Sequence, residues 1–191
     1  VKRLDSADDW TVYHASKGAT YKIDLNNANA ATQVATVFNN TAPTSSLMTV
    51  GTNGRTNASG GTYLVYAFAD VPGYSRFGMY TGNSSAMSDS FDAPFIYTGF
   101  KPSTVIIKGV GANGRDWYIW NNKNLGYNPD NNELYPSDNS AEGTADKIYL
   151  MSNGFKLNHS GTGVNSNGEE YVYMAWGQTM VGSNNVPCTA R

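Results

Sequence analysis

Asn167-Gly168-Glu169-Glu170-Tyr171-Val172-Tyr173-Met174-Ala175-Trp176 joins an Asn-Gly pair to a run of β-branched and aromatic side chains. Asn and Gly tolerate the positive φ angles that tight hairpin turns require, and Val, Tyr and Trp fit a pleated, half-buried surface. Asn-Gly recurs at Asn53-Gly54, Asn113-Gly114 and Asn153-Gly154. Runs of the same kind recur as Tyr63-Leu64-Val65-Tyr66-Ala67-Phe68, Thr104-Val105-Ile106-Ile107-Lys108, Trp117-Tyr118-Ile119-Trp120 and Lys147-Ile148-Tyr149-Leu150, each bounded by turn residues. The pattern predicts an all-β chain of antiparallel strands. Residues 28–38 are the one helical candidate: Ala and Val fall at helical spacing, opposed by Thr32, Thr36 and flanking Asn pairs.

Laid on itself, the chain repeats. Residues 47–68 align without gaps on residues 155–176 at an offset of 108, so that Asn57 meets Asn165, Gly60 meets Gly168, Tyr63 meets Tyr171 and Ala67 meets Ala175. Asp9-Trp10-Thr11-Val12-Tyr13 matches Asp116-Trp117-Tyr118-Ile119-Trp120 at an offset of 107. The pattern divides the chain into a first repeat over residues 1–71 and a second, complete repeat with a C-terminal tail over residues 72–191, broken at Val71-Pro72-Gly73. Residues 95–108 of the second copy have no counterpart ahead of Val1, which falls near Ile107. The expectation is a first copy lacking its opening strands, in the C-terminal part of a longer chain.

Composition narrows the partners. Hydrophobic residues make up 40% of the 191 and aromatics 13%, enough for a core, while only 15% are charged against ~25% in typical soluble domains. Asn, Ser, Thr and Gly must therefore clothe the surface, with Asn pairs at Asn26-Asn27, Asn39-Asn40, Asn121-Asn122, Asn131-Asn132 and Asn184-Asn185. A formal charge of -2 offers no footprint for nucleic acid or an anionic membrane. No stretch approaches the ~18–20 consecutive apolar residues of a membrane-spanning helix. The sole cysteine, Cys188, cannot form an intrachain disulfide.

Catalytic machinery is sparse in the sequence. No His-Glu-x-x-His, Gly-x-Ser-x-Gly or phosphate-cradling glycine motif occurs, and His14 and His159 read as a strand edge and a solvated loop. The carboxylate pairs Asp8-Asp9, Asp89 with Asp92, Asp130 with Glu133, Asp138 with Glu142, and Glu169-Glu170 lie in polar, turn-like surroundings with nothing to raise a pKa for acid catalysis. Asn128-Pro129-Asp130-Asn131-Asn132-Glu133 supplies oxygens but lacks calcium-loop spacing. The expectation is no catalytic residue, no metal and no cofactor.

Aromatic rings flanked by Asn or Asp remain, a chemistry suited to neutral glycans. Trp117 and Ile119 alternate with Tyr118 and Trp120, so one face is core and at most half the set is free. Trp117, matched by Trp10, is expected in the core; Trp120, Asn121, Asn122, Tyr127, Asp130 and Asn131 are the candidate ligand-binding residues.

Gly73-Tyr74-Ser75-Arg76-Phe77-Gly78-Met79-Tyr80-Thr81-Gly82-Asn83, Pro94-Phe95-Ile96-Tyr97-Thr98-Gly99-Phe100-Lys101-Pro102, Leu150-Met151-Ser152-Asn153-Gly154-Phe155-Lys156-Leu157 and residues 171–176 resemble a repeated β-sandwich domain of tail-fibre-like proteins in marine bacteriophages. Trp176-Gly177-Gln178 departs from the acidic, Phe-containing ending commoner there. The resemblance implies an antiparallel sandwich of lectin-like or jelly-roll-like character in a virion tail fibre, outside the cell. Its implied partners are a host-surface glycan or receptor, other virion tail proteins and copies of itself in a homotrimer. A tailspike-type glycan depolymerase and a structural spacer without binding role stand as alternatives.

Overall fold

The structure, a computed structural model, describes residues 1–86, 92–124, 128 and 131–177; the expectations for Cys188, Asp89, Tyr127 and Asp130 fall outside these residues. The first repeat folds as β1 (Lys2–Arg3), β2 (Thr11–Val12), β3 (Tyr21–Asp24), β4 (Thr32–Gln33), α1 (Ala35–Phe38), α2 (Gly54–Asn57) and β5 (Tyr63–Leu64). The second supplies β6 (Ser75–Thr81), β7 (Phe95–Tyr97), β8 (Pro102–Gly109), β9 (Trp117–Asn121), β10 (Ile148–Met151), β11 (Gly154–Leu157) and β12 (Glu170–Gly177). Every strand pair is antiparallel. The all-β, sandwich-like class predicted from the sequence is the class observed.

Two sheets of the second repeat enclose the main core. One runs β6-β12-β8-β9 and the other β10-β11-β7. Between them Val105, Ile107, Trp120, Tyr171, Tyr173 and Ala175 meet Ile96, Ile148, Leu150, Phe155 and Leu157. The far face of the four-stranded sheet is covered as well: Trp117 and Val172, with Ile106 and Met174 beside them, pack with Ile23, Val12 and Leu25 of the first repeat. A third cluster, Ala19, Val37 and Phe38 with Tyr13 and Val34, closes the first repeat. The expected domain boundary coincides with the isolated Val71–Ser75 bridge, yet the segments on either side of it share one apolar cluster.

Both copies build the same corner. The Tyr63 hydroxyl accepts from Ala58 N (2.6 Å) and donates to Gly54 O (2.7 Å). The Tyr171 hydroxyl accepts from Ser166 N (2.9 Å) and donates to Thr162 O (3.0 Å). The differences 171 − 63, 166 − 58 and 162 − 54 all equal the sequence offset of 108. Gly60 and Gly168 both hold positive φ, 71° and 74°, where a Cβ would be strained. Each tyrosine also sits in an antiparallel strand pair, Tyr63 opposite Arg3 and Tyr171 opposite Gly109.

Local expectations needed correction where tertiary context competes. Residues 28–38 give only the single turn of α1, because Thr32–Gln33 is drawn into pairing with β3. The run 63–68 is a strand only at Tyr63–Leu64; Val65, Tyr66 and Phe68 leave the sheet and lie 43%, 63% and 64% exposed. Asn53-Gly54 makes no hairpin: the Asn53 side chain accepts from Arg55 N and caps α2. In the β10–β11 hairpin Met151 pairs with Gly154, so Ser152 and Asn153 form the turn and the glycine opens β11. There a Cβ would collide with the Ile96 carbonyl oxygen of β7.

Lys108 is buried where the two repeats meet, its ammonium donating to the carbonyls of Arg115 and Asn27. Burial lowers its pKa from 10.5 to about 8, against the attraction of Asp116, Asp24 and Glu169, while Arg115 repels it. Between these pH values the unfolded chain binds more protons than the folded one, so this lysine makes stability rise with pH from about 8 to 10.5. Urea unfolding of wild type and Lys108→Met across that range is expected to show the rise in the wild type and a flatter curve in the variant. Parallel curves would refute the assignment.

Candidate functional site

The ring and amides expected to contact ligand at the end of β9 are occupied with building the fold. Trp120 has no exposed surface; its ring stacks on Tyr118 at 5.7 Å and belongs to the main core. One face of β9 is expected in the core, with the other open to ligand; the sheet is packed on both sides, burying Trp117 and Trp120 alike. Trp10, the sequence partner of Trp117, is instead partly exposed and stacks on Tyr66 at 6.2 Å.

The asparagines act as backbone mimics. Asn121 Oδ1 accepts from Lys123 N and Asn124 N and so closes the turn after β9, while Asn122 N donates to Ser103 O. Asn131, only 3% exposed, donates to Ile148 O and to Asn128 Oδ1. Asn128 in turn bridges Leu150 O and Leu150 N, satisfying the outer edge of β10. Asn121 and Asn122 keep partial exposure, and neither lines the groove at residues 70–76 and 97–99 or the one at residues 111–115 and 166–170.

His14, expected at a strand edge, is 4% exposed between the repeats: Nδ1 accepts from Ser16 N, and Nε2–H donates to Tyr173 O at 3.2 Å. Burial holds its pKa below the usual histidine value. Neither are all carboxylates surface groups. Asp24 is buried against Lys22 (2.6 Å) and Arg55 (3.0 Å), and Glu133 against Lys147. Glu169 is held by Arg115 through both oxygens at 2.9 Å. Among the described residues no three His, Cys, Asp or Glu side chains gather as metal ligands, and no helix is long and apolar enough to cross a membrane.

A concave surface lies instead on the open flank of the sandwich, where β6 and β7 are the unpaired edges of their sheets. The groove there holds about 290 Å³ and is lined by Asp70, Ser75, Arg76, Tyr97 and Thr98, with Gly73 and Gly99 in its turns. Alternation along β7 sends Ile96 inward and leaves Phe95 and Tyr97 45% and 65% exposed. The Tyr97 ring lies beside Gly99, whose φ of 85° makes the turn. Asp70 Oδ1 accepts from Phe77 N at 2.7 Å, and its other oxygen faces Arg76 Nη1 at 3.6 Å. The Arg76 guanidinium also acts electrostatically on the Tyr173 hydroxyl, offsetting part of the rise in pKa that burial causes there.

Sequence reading passed over this groove. Its signal was present in Phe95-Ile96-Tyr97, whose outward pair is wholly aromatic, and in the charges flanking Val71-Pro72-Gly73. The groove forms only once β6 and β7, which never pair, are brought to the same flank.

Together these features define an antiparallel, multi-layered β-sandwich module with a shallow aromatic and polar groove along its open edge. The chain belongs to the family described as a domain of unknown function (DUF7483), whose model matches residues 1–179. Neither a curated protein nor a solved structure matches the chain.

Proposed function

We propose that the chain is an attachment module of a phage tail fibre, contacting a glycan or receptor on the host-cell surface without catalysis. The observation that carries the reading is the groove itself: an exposed tyrosine ring beside an Asp–Arg pair, on a module with a nearly neutral, amide- and hydroxyl-rich sequence. Resemblance of the sequence to tail-fibre repeats supplies the setting. Asp24, Glu133, Glu169 and Glu170 are each neutralised by a basic partner, which for these four favours binding over glycan hydrolysis. A role as a mere spacer gives no reason for an open, aromatic-lined seam.

The test is adsorption of the labelled, assembled protein to a panel of bacterial strains at low and high salt. Binding to susceptible cells is expected to change less than about twofold between 0.05 and 0.5 M salt, because a neutral ligand has no net charge attraction for salt to screen. Correctly assembled protein that adsorbs to no strain would favour the spacer, and release of reducing sugar ends from cell-surface polysaccharide would favour the depolymerase.

A further inference from the structure

We propose that the groove between β6 and β7 is a subsite for one neutral hexopyranose ring, stacked on Tyr97 and hydrogen-bonded through vicinal hydroxyls to Asp70 and Arg76. The inference rests on the attachment reading and assigns its ligand class and residues.

Size comes first. At about 290 Å³ the groove is just below the ~300–1,000 Å³ common for ligand clefts, fitting a single sugar ring better than a folded peptide segment. Next comes the platform. Tyr97 is 65% exposed on the outward face of an edge strand, and that apolar ring, tipped by a hydroxyl, is open to the C–H face of a pyranose.

The polar groups then select the ligand. A sugar hydroxyl both donates and accepts, so neighbouring hydroxyls match a carboxylate, which only accepts, set beside a guanidinium, which only donates. Asp70 accepts from Phe77 N through one oxygen, its other oxygen lies 3.6 Å from Arg76 Nη1, and both side chains line the groove. This orientation is present before ligand arrives, which limits the ordering cost of binding. The pair is also neutral as a unit. An acidic sugar would set its own carboxylate against Asp70, so neutral rings are preferred. Ser75 and Thr98 shape the wall without competing, since their hydroxyls already donate to Ala69 O (2.7 Å) and Phe100 O (2.6 Å).

The experiment is an amide NMR titration of the protein with methyl glycosides of glucose, galactose, mannose and N-acetylglucosamine, and with glucuronic and N-acetylneuraminic acids. At least one neutral glycoside is expected to bind with Kd on the order of 1–10 mM and to shift resonances of residues 70–76 and 97–99. Tyr97→Ala and Asp70→Asn are each expected to weaken it at least about tenfold, or 1.4 kcal/mol, while Tyr97→Phe, which keeps the ring, retains most of the affinity. Tyr97 is mostly exposed and Asn at position 70 can still accept from Phe77 N, so neither change threatens the fold, as unchanged spectra elsewhere would verify. Absence of shifts in the groove with every neutral glycoside, or binding confined to the acidic sugars, overturns the proposal. Cell adsorption that survives Tyr97→Ala would remove this subsite and leave the attachment reading standing; glycoside binding without cell adsorption would do the reverse.

Discussion

Trp117→Ala is expected to lower the unfolding free energy by about 3–5 kcal/mol, the range for deleting a buried tryptophan side chain. The ring is fully buried among Ile23, Val110 and Val172, and its Nε1–H donates to the Asp24 carbonyl at 2.8 Å. It therefore joins β9 of the second repeat to β3 of the first by packing and by a hydrogen bond at once. Alanine would leave a cavity and strip the buried Asp24 carbonyl of its donor, a further cost included in the upper end of that range. Since a domain's whole stability is about 5–15 kcal/mol, the variant would be close to unfolding at modest denaturant. Trp10→Ala is the informative comparison. Its ring is partly exposed, stacked only on the exposed Tyr66, and its loss is expected to cost about 1 kcal/mol. Denaturant unfolding followed by far-UV circular dichroism measures both. Equal losses for the two tryptophans would show that the repeats do not share a core through Trp117.

That asymmetry between two residues aligned in sequence shows where reading the chain succeeds and where it stops. Strand-pattern arguments found β8, β9, β10 and β12 to within two residues at each end, because runs such as Tyr171 to Trp176 and Thr104 to Lys108 have no competing local structure, whereas β6, β7 and β11 were not singled out. The offset of 108 was likewise readable, down to the tyrosine whose hydroxyl closes the same turn twice. The error lay in leaving the second face of β9 open to ligand. Trp117-Tyr118-Ile119-Trp120 and Tyr171-Val172-Tyr173-Met174 contain no polar residue at either parity, and such unbroken runs belong to strands buried on both sides. Taken literally, that pattern would have put Trp120 in the core and called for a third layer, which the first repeat provides. The asparagines misled for a different reason. Their side chains satisfy backbone groups as well as ligands, and only the positions of Leu150 and Ile148 reveal which. The groove depended on strands distant in pairing order, so its residues carried only a faint local signal.

A buried ion pair makes the second large effect. Glu133 Oε1 accepts from Lys147 Nζ and from the Tyr135 hydroxyl at 2.9 Å, and the ammonium lies 4.9 Å from the centre of the Tyr118 ring. The Glu133 and Lys147 side chains are 1% and 11% exposed. Gly143 is required beside them, since a Cβ there would clash with both the Tyr135 hydroxyl and the Glu133 carboxylate. Because each ion has been taken out of water, removing one strands the other. Glu133→Leu and Lys147→Met are each expected to cost about 3–5 kcal/mol at pH 7, whereas the double variant is expected to return to within about 1–2 kcal/mol of wild type, since apolar pairs of similar volume commonly replace buried ion pairs without loss. The Lys147→Met variant also acquires a pH signature. With its cation gone, Glu133 keeps only the tyrosine hydroxyl, and burial would raise its folded pKa above the unfolded value of about 4.3. Protonation would then favour the folded state, so the defect should shrink as pH falls from 7 toward 4, the opposite of ordinary acid destabilisation. Urea titrations of the four proteins at pH 7 and pH 4.5 decide it. Additive losses in the double variant, or a Lys147→Met defect unchanged by acid, would mean that the pair contributes packing and not mutual charge compensation.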